Sequence, residues 1–141
     1  MRLIIYTDGA ARGNPGPAAI GVVLAEPSGR TLRTISRYLG CRTNNQAEYA
    51  ALIAGLEAAL ELKADEVQVA TDSELVARQM MGQYRVRNEG LLALYRRARD
   101  LAARFRSVSF VSIPRSLNSE ADRLANQALD RRPAEEPAMG S

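Results

Sequence analysis

The sequence has no histidine, no tryptophan and a single cysteine, Cys41. Without histidine, the Ser-His-Asp and Cys-His arrangements of nucleophilic catalysis are excluded. With one cysteine as well, so is a zinc site built from Cys and His. No internal disulfide can form, so packing must hold the fold; this suits a reducing compartment and makes the cytoplasm the expected location. Long apolar runs are also missing. The run at the N-terminus, Leu3 to Tyr6, is far too short for a secretory signal and gives way to Asp8. No membrane partner is therefore expected. Lysine is nearly absent, since Lys63 is the one lysine among 19 basic residues. The formal charge of +3 favours an anionic partner only weakly. Any metal chemistry must use oxygen ligands, which suit Mg²⁺ or Mn²⁺, and this narrows attention to the carboxylates.

The 141 residues are 46% hydrophobic and 25% charged, the balance of one globular core rather than two. Arg2 to Thr7 reads as a buried strand ended by Asp8-Gly9. Gly13 to Pro17 reads as a loop, Ala18 to Ala25 as a second strand closed by Pro27-Ser28-Gly29, and Thr31 to Leu39 as a third, polar, edge strand. Thr43-Asn44-Asn45-Gln46 is a capping box that opens a helix to about Glu61, with Tyr49, Leu52, Ile53, Leu56 and Leu60 on one face. Val67 to Thr71 is a fourth strand, and Ser73 caps a short helix broken around Gly82. Another helix carries Leu91, Leu94, Tyr95, Ala98 and Leu101. Val108 to Val111 is a fifth strand stopped by Pro114. Ser119 to Asp122 resembles a second capping box before the last helix. From Arg131 to Ser141 there is no periodicity, so a domain of residues 1–130 followed by a disordered tail is expected. Three strands in a meander, then helices alternating with two strands, give an α/β class: a five-stranded mixed sheet flanked by helices.

Four acids fall where this order brings chain segments together. Asp8 and Asp72 follow central strands, on the side of the sheet where α/β folds bind ligands. Glu48 sits early in its helix and points to the buried face, and Asp122 starts the last helix beside its apolar stripe. Each has an ordinary alternative: Asp8 a turn residue, Asp72 a cap, Asp122 a favourable charge at a helix start, Glu48 a solvated acid. Together, four converging carboxylates repel one another unless cations balance them. Two Mg²⁺ ions, with Mn²⁺ as a substitute, supply that balance and suit two-metal phosphoryl transfer.

Tyr6-Thr7-Asp8-Gly9-Ala10 with Gly13-Asn14-Pro15-Gly16, Thr43 to Glu48, Thr71-Asp72-Ser73 and Asn118 to Ala125 resemble, in order, the four motifs of the ribonuclease H type 1 family. The resemblance spans about residues 2 to 130, and four motifs in register are far more specific than one. It implies the ribonuclease H-like fold, metal held by Asp8, Glu48, Asp72 and Asp122, and hydrolysis of the RNA strand of an RNA·DNA hybrid to 5′-phosphate and 3′-hydroxyl ends; a monomer is expected. It also implies that Asn14, Asn44 and Asn45 contact the hybrid in its minor groove and that Thr43 helps hold a DNA phosphate, though Thr43 and Asn44 also serve as ordinary helix-start residues. The sequence departs from the family at two places. Arg115 stands in a short loop where many members carry a histidine, and is read either as a phosphate or leaving-group contact or as an ordinary solvated loop residue. A long basic protrusion is replaced by Gln83 to Asn88, so Arg85 and Arg87 either substitute for it or are plain surface charge. Two other functions stay open: a nuclease of the same mechanism that also cuts double-stranded RNA, and a non-catalytic nucleic-acid-binding module.

Overall fold

The computed structural model describes residues 1–132. The expected tail lies, beyond Arg132, outside the described residues. Five strands, β1 (Arg2–Ala11), β2 (Gly16–Ala25), β3 (Thr31–Arg42), β4 (Glu66–Thr71) and β5 (Ser107–Ser112), form one sheet in the order β3-β2-β1-β4-β5. The first three are an antiparallel meander, while β1–β4 and β4–β5 are parallel. The helices are α1 (Asn44–Glu61), α2 (Glu74–Met80), α3 (Glu89–Ala102) and α4 (Ser119–Asp130), the last entered from a 3₁₀ turn, Arg115–Asn118.

The sheet separates two packing layers because side chains alternate along β1. Leu3 and Ile5 face α1 and join the main core with Tyr49, Leu52, Leu56, Val69, Met80 and Leu101. Ala10 faces the other way, against the smaller cluster of Ala19, Ala128 and Leu129 under α4. Small residues let α1 lie close to the sheet; a Cβ at Gly55 would come within 2.7 Å of Ile5 Cγ2. The Tyr49 hydroxyl donates to Gln79 Oε1 at 2.7 Å and ties α1 to α2 inside the core. The expected capping box is formed: Thr43 Oγ1 accepts from Gln46 N–H and Gln46 Oε1 accepts from Thr43 N–H.

Four expectations are corrected. Asp8-Gly9 does not end the first strand: β1 runs to Ala11, still paired with β2 through Ala11↔Ala18. Gly9 is there because a Cβ would overlap the α1 backbone at Ala47 and Glu48, not because a turn needs it. Gly16 and Pro17 belong to β2 rather than to the loop, and β3 extends to Arg42 past a register shift, with Gly40 at φ 82°. The second capping box is absent. Ser119 is the first residue of α4, and the N-cap residue Asn118 makes no side-chain cap; its Nδ2 donates instead to the Thr7 carbonyl.

Candidate metal centre and nucleic-acid interface

The β1–β4 ladder stops at Thr7↔Thr71, whereas β1 continues beside β2 through Asp8 to Ala11. This step leaves Asp8 and Asp72 as lateral neighbours at the open end of the parallel pair. Glu48 reaches the same place from α1, where its Oε1 accepts the Gly9 N–H at 2.9 Å. One carboxylate oxygen from each of Asp8, Glu48 and Asp72 lies within 4.8 Å of the other two. Asp122 approaches from α4 on the Asp8 side and lines the same open cleft of about 480 Å³, together with Asn44 and Arg115. Asp122 stands slightly apart from the tight trio, and its Oδ1 takes a 3.3 Å contact from Asn126 Nδ2. All four acids of the sequence reading are thus brought to one cleft, from β1, the residue just past β4, and two helices.

A glycine sets the fourth acid in place. Gly21 pairs with Asp8 across β1–β2, and a Cβ there would overlap the Ala121 carbonyl and sit 2.7 Å from Ala125 N. The backbone of α4 therefore settles directly beside Asp8, which places Asp122 one residue further along. A lone glycine inside the apolar run from Ala18 to Ala25 was the available signal of a close backbone approach.

The electrostatics are those of a site short of positive charge. Asp8 is pushed up to about 8, first by burial, then by repulsion from Asp72 and Asp122, with hydrogen bonding to the Asp122 carboxyl adding to it. Glu48 is also pushed up to about 8, by burial foremost and then by Asp8, against the lowering effect of the Gly9 N–H. Arg115 pulls both down, but its guanidinium is 83% exposed and only within 3.8 Å of Asp122 Oδ1, so it does not neutralise the cluster. The donor set fits a hard divalent cation: it is all oxygen, closely spaced, and two of its carboxyls ionise more readily once a cation is present.

The residues assigned to nucleic acid lie next to this cleft. Asn14, Thr43 and Asn45 share a polar hollow of about 280 Å³ with Gln46, Asn88 and Leu91, and Asn44 lines the acid cleft itself. The loop after β1 is pinned to the start of α1 by the Asn44 N–H, which donates to Asn14 Oδ1 at 3.0 Å. Thr43 Oγ1 accepts from the helix, which leaves its own hydroxyl proton to donate. Asn88, whose Oδ1 caps α3 at the Leu91 N–H, had not been singled out. Asn118, which opens the fourth motif but was given no role of its own, is 1% exposed and donates from Nδ2 to the Thr7 carbonyl at 2.9 Å.

The fold and the acid cleft together define a reverse-transcriptase-like domain, and the family model of that description matches residues 6–128. A bifunctional protein of Mycobacterium tuberculosis is 46% identical over 131 residues; the match covers 92% of this chain but 36% of that protein, so the chain spans about a third of its length. Ribonuclease H1 of the halophilic archaeon Halobacterium salinarum superposes with a TM-score of 0.91 at 44% identity, covering 94% of this chain and 100% of that one. LC11 ribonuclease H1, solved in complex with an RNA/DNA hybrid, gives 0.87 at 47% identity over 92% of this chain and 97% of that one. The chain belongs to the ribonuclease H family, type 1.

Proposed function

We propose that this protein is a divalent-metal-dependent endonuclease that hydrolyses the RNA strand of RNA·DNA hybrids to 5′-phosphate and 3′-hydroxyl ends. Asp8, Glu48, Asp72 and Asp122 are its catalytic, metal-holding acids, and the working unit is residues 1–130. The observation that carries this reading is the meeting of Asp8, Glu48 and Asp72 oxygens within 4.8 Å in an open cleft. Four carboxylates match the charge of two Mg²⁺ ions, for which Mn²⁺ can substitute. When bound, such cations make an attacking water more acidic and stabilise charge on the phosphate and its leaving oxygen. No protein nucleophile is needed, which agrees with the absence of histidine and with a single, exposed cysteine that does not line the acid cleft.

The neighbouring residues supply recognition. Asn14, Asn44 and Asn45 offer short amides to the 2′-hydroxyls and base edges of a wide, shallow minor groove, the feature that separates RNA from DNA. Thr43 donates to a phosphate of the DNA strand. Arg115, charged and free to swing, contacts the phosphate being cut or the group that leaves. The similarity to LC11 ribonuclease H1 supports the hybrid as substrate. Among the described residues no helix is long and apolar enough to cross a membrane. We place the protein in the cytoplasm and expect it to act as a monomer.

The test is a gel assay of three labelled duplexes, RNA·DNA, RNA·RNA and DNA·DNA, with Mg²⁺ or Mn²⁺ and with a chelator. Hybrid cleavage that the chelator abolishes is expected. Comparable cutting of RNA·RNA would widen the substrate class to double-stranded RNA, and cutting of DNA·DNA at the same rate, or indifference to the chelator, would overturn the proposal.

A further inference from the structure

Asn is among the best N-capping residues, because its side-chain oxygen can accept from the first free backbone N–H groups of a helix. Asn118 occupies the N-cap of α4 and does not use it. It is 1% exposed, its Nδ2 donates to the carbonyl of Thr7, and its Oδ1 is buried with no hydrogen-bond partner among the described residues. The amide orientation follows from its neighbour, since only a donor satisfies a carbonyl. A buried orphan acceptor is an unusual thing to keep at a position where an ordinary cap would remove it.

The two ends of this hydrogen bond explain the arrangement. Thr7 is the last residue of β1 to pair with β4, and Asp8 follows it. Asn118 is four residues before Asp122, one helical turn away on the same side of α4. One side-chain amide therefore links the backbone next to Asp8 to the turn beneath Asp122. The Gly21 notch sets how deeply α4 sits on the sheet, but contact with a smooth glycine does little to stop sliding along it. The directional bond from Asn118 supplies that stop at the start of the helix, beside Asp8, while the Ser36 hydroxyl, donating to the Leu124 carbonyl at 2.6 Å, holds α4 further along against β3. Asn118 is not among the residues lining the acid cleft, so it acts through the acids and not on substrate.

We infer that Asn118 is a positioning residue: its amide holds α4 in register with β1 and so fixes the spacing of Asp122 from Asp8. This rests on the functional reading above. The experiment compares wild-type protein with Asn118→Leu, which keeps the approximate shape without a donor, and Asn118→Ser, which keeps a donor on a shorter arm. Leu101→Val, on the buried face of α3, serves as a destabilised control. Turnover and KM on a labelled hybrid, Mn²⁺ affinity by titration calorimetry, and thermal midpoint are measured for each.

For Asn118→Leu, kcat should fall roughly tenfold to a hundredfold, the usual result of small misplacement, with KM within about twofold. Mn²⁺ affinity should weaken by about tenfold, as when partners that orient metal ligands are lost. Asn118→Ser should lie between, and Leu101→Val should lower the thermal midpoint while leaving both readouts near wild type. If Asn118→Leu does not fold, Asn118→Ser is judged by the same criteria. The inference is overturned if the Asn118 variants keep wild-type kcat and Mn²⁺ affinity, or lose no more of them than Leu101→Val does. Should wild-type protein bind Mn²⁺ but cut no hybrid, the functional proposal falls alone, and the Mn²⁺ affinities still decide the role of Asn118.

Discussion

Asp8 is the residue on which most of the chemistry turns, because it is buried, repelled by two other acids and hydrogen-bonded to one of them. Asp8→Asn keeps the shape and removes the charge. Hydrolysis should drop by roughly a hundredfold or more, the scale for removing a group that stabilises charge in the transition state. Binding of the hybrid should survive, since phosphate contacts come from other residues and one negative charge has left. Gel-shift and turnover measurements on the same preparation check this, and unchanged turnover would refute the assignment. The four acids were legible in sequence because each sits beside a local signal, such as the end of an apolar run or a helix-start pattern. Asn118 was not. Its partner, Thr7, is 111 residues away, and its neighbours Ser119 to Asp122 imitate a local cap that the structure does not form.

At the scale of elements, order and type of strands and helices followed from periodicity and turn residues, and the meander followed by parallel crossovers came out as read. What escaped was the length of β1 and the reason for its glycine. A missing side chain leaves no mark on hydrophobic alternation, so Gly9, followed by no break in the apolar pattern, passed for a turn, and the contact that α4 makes at Gly21 was signalled only by a lone glycine in an apolar run. The Gly21 contact gives a sharp expectation. In Gly21→Ala the new methyl meets the Ala121 carbonyl, and α4 must lift from the sheet. Overpacking of this kind costs about 1–3 kcal/mol or more, so the urea midpoint should fall. Activity should fall further than stability accounts for, because Asp122 moves with the helix. A Gly21→Ala protein as active as wild type at a temperature where both are folded would show that α4 has freedom the packing denies.

For the molecule as a whole, the acid cluster makes stability depend on pH and on metal together. Asp8 and Glu48 hold protons in the folded state up to about 8, while an unfolded chain releases them near about 4. Between those values the folded state binds more protons than the unfolded one, so stability falls as pH rises. With chelator present, the denaturation midpoint should decline from about pH 5 to about pH 8.5; saturating Mn²⁺ should abolish or reverse the decline, by binding the ionised folded form. A midpoint that climbs over this range without metal would contradict the account. A further consequence follows from the close contact that the backbone of α1 makes on β1 at Gly9. A slip of β1 by one position would bring Asp8 or Ala10 to the spot where the backbone of α1 admits no side chain at all. A misthreaded strand is then rejected by the packing before any cation arrives. Correct threading and assembly of the acids become a single event, so nearly every molecule that survives folding should be competent.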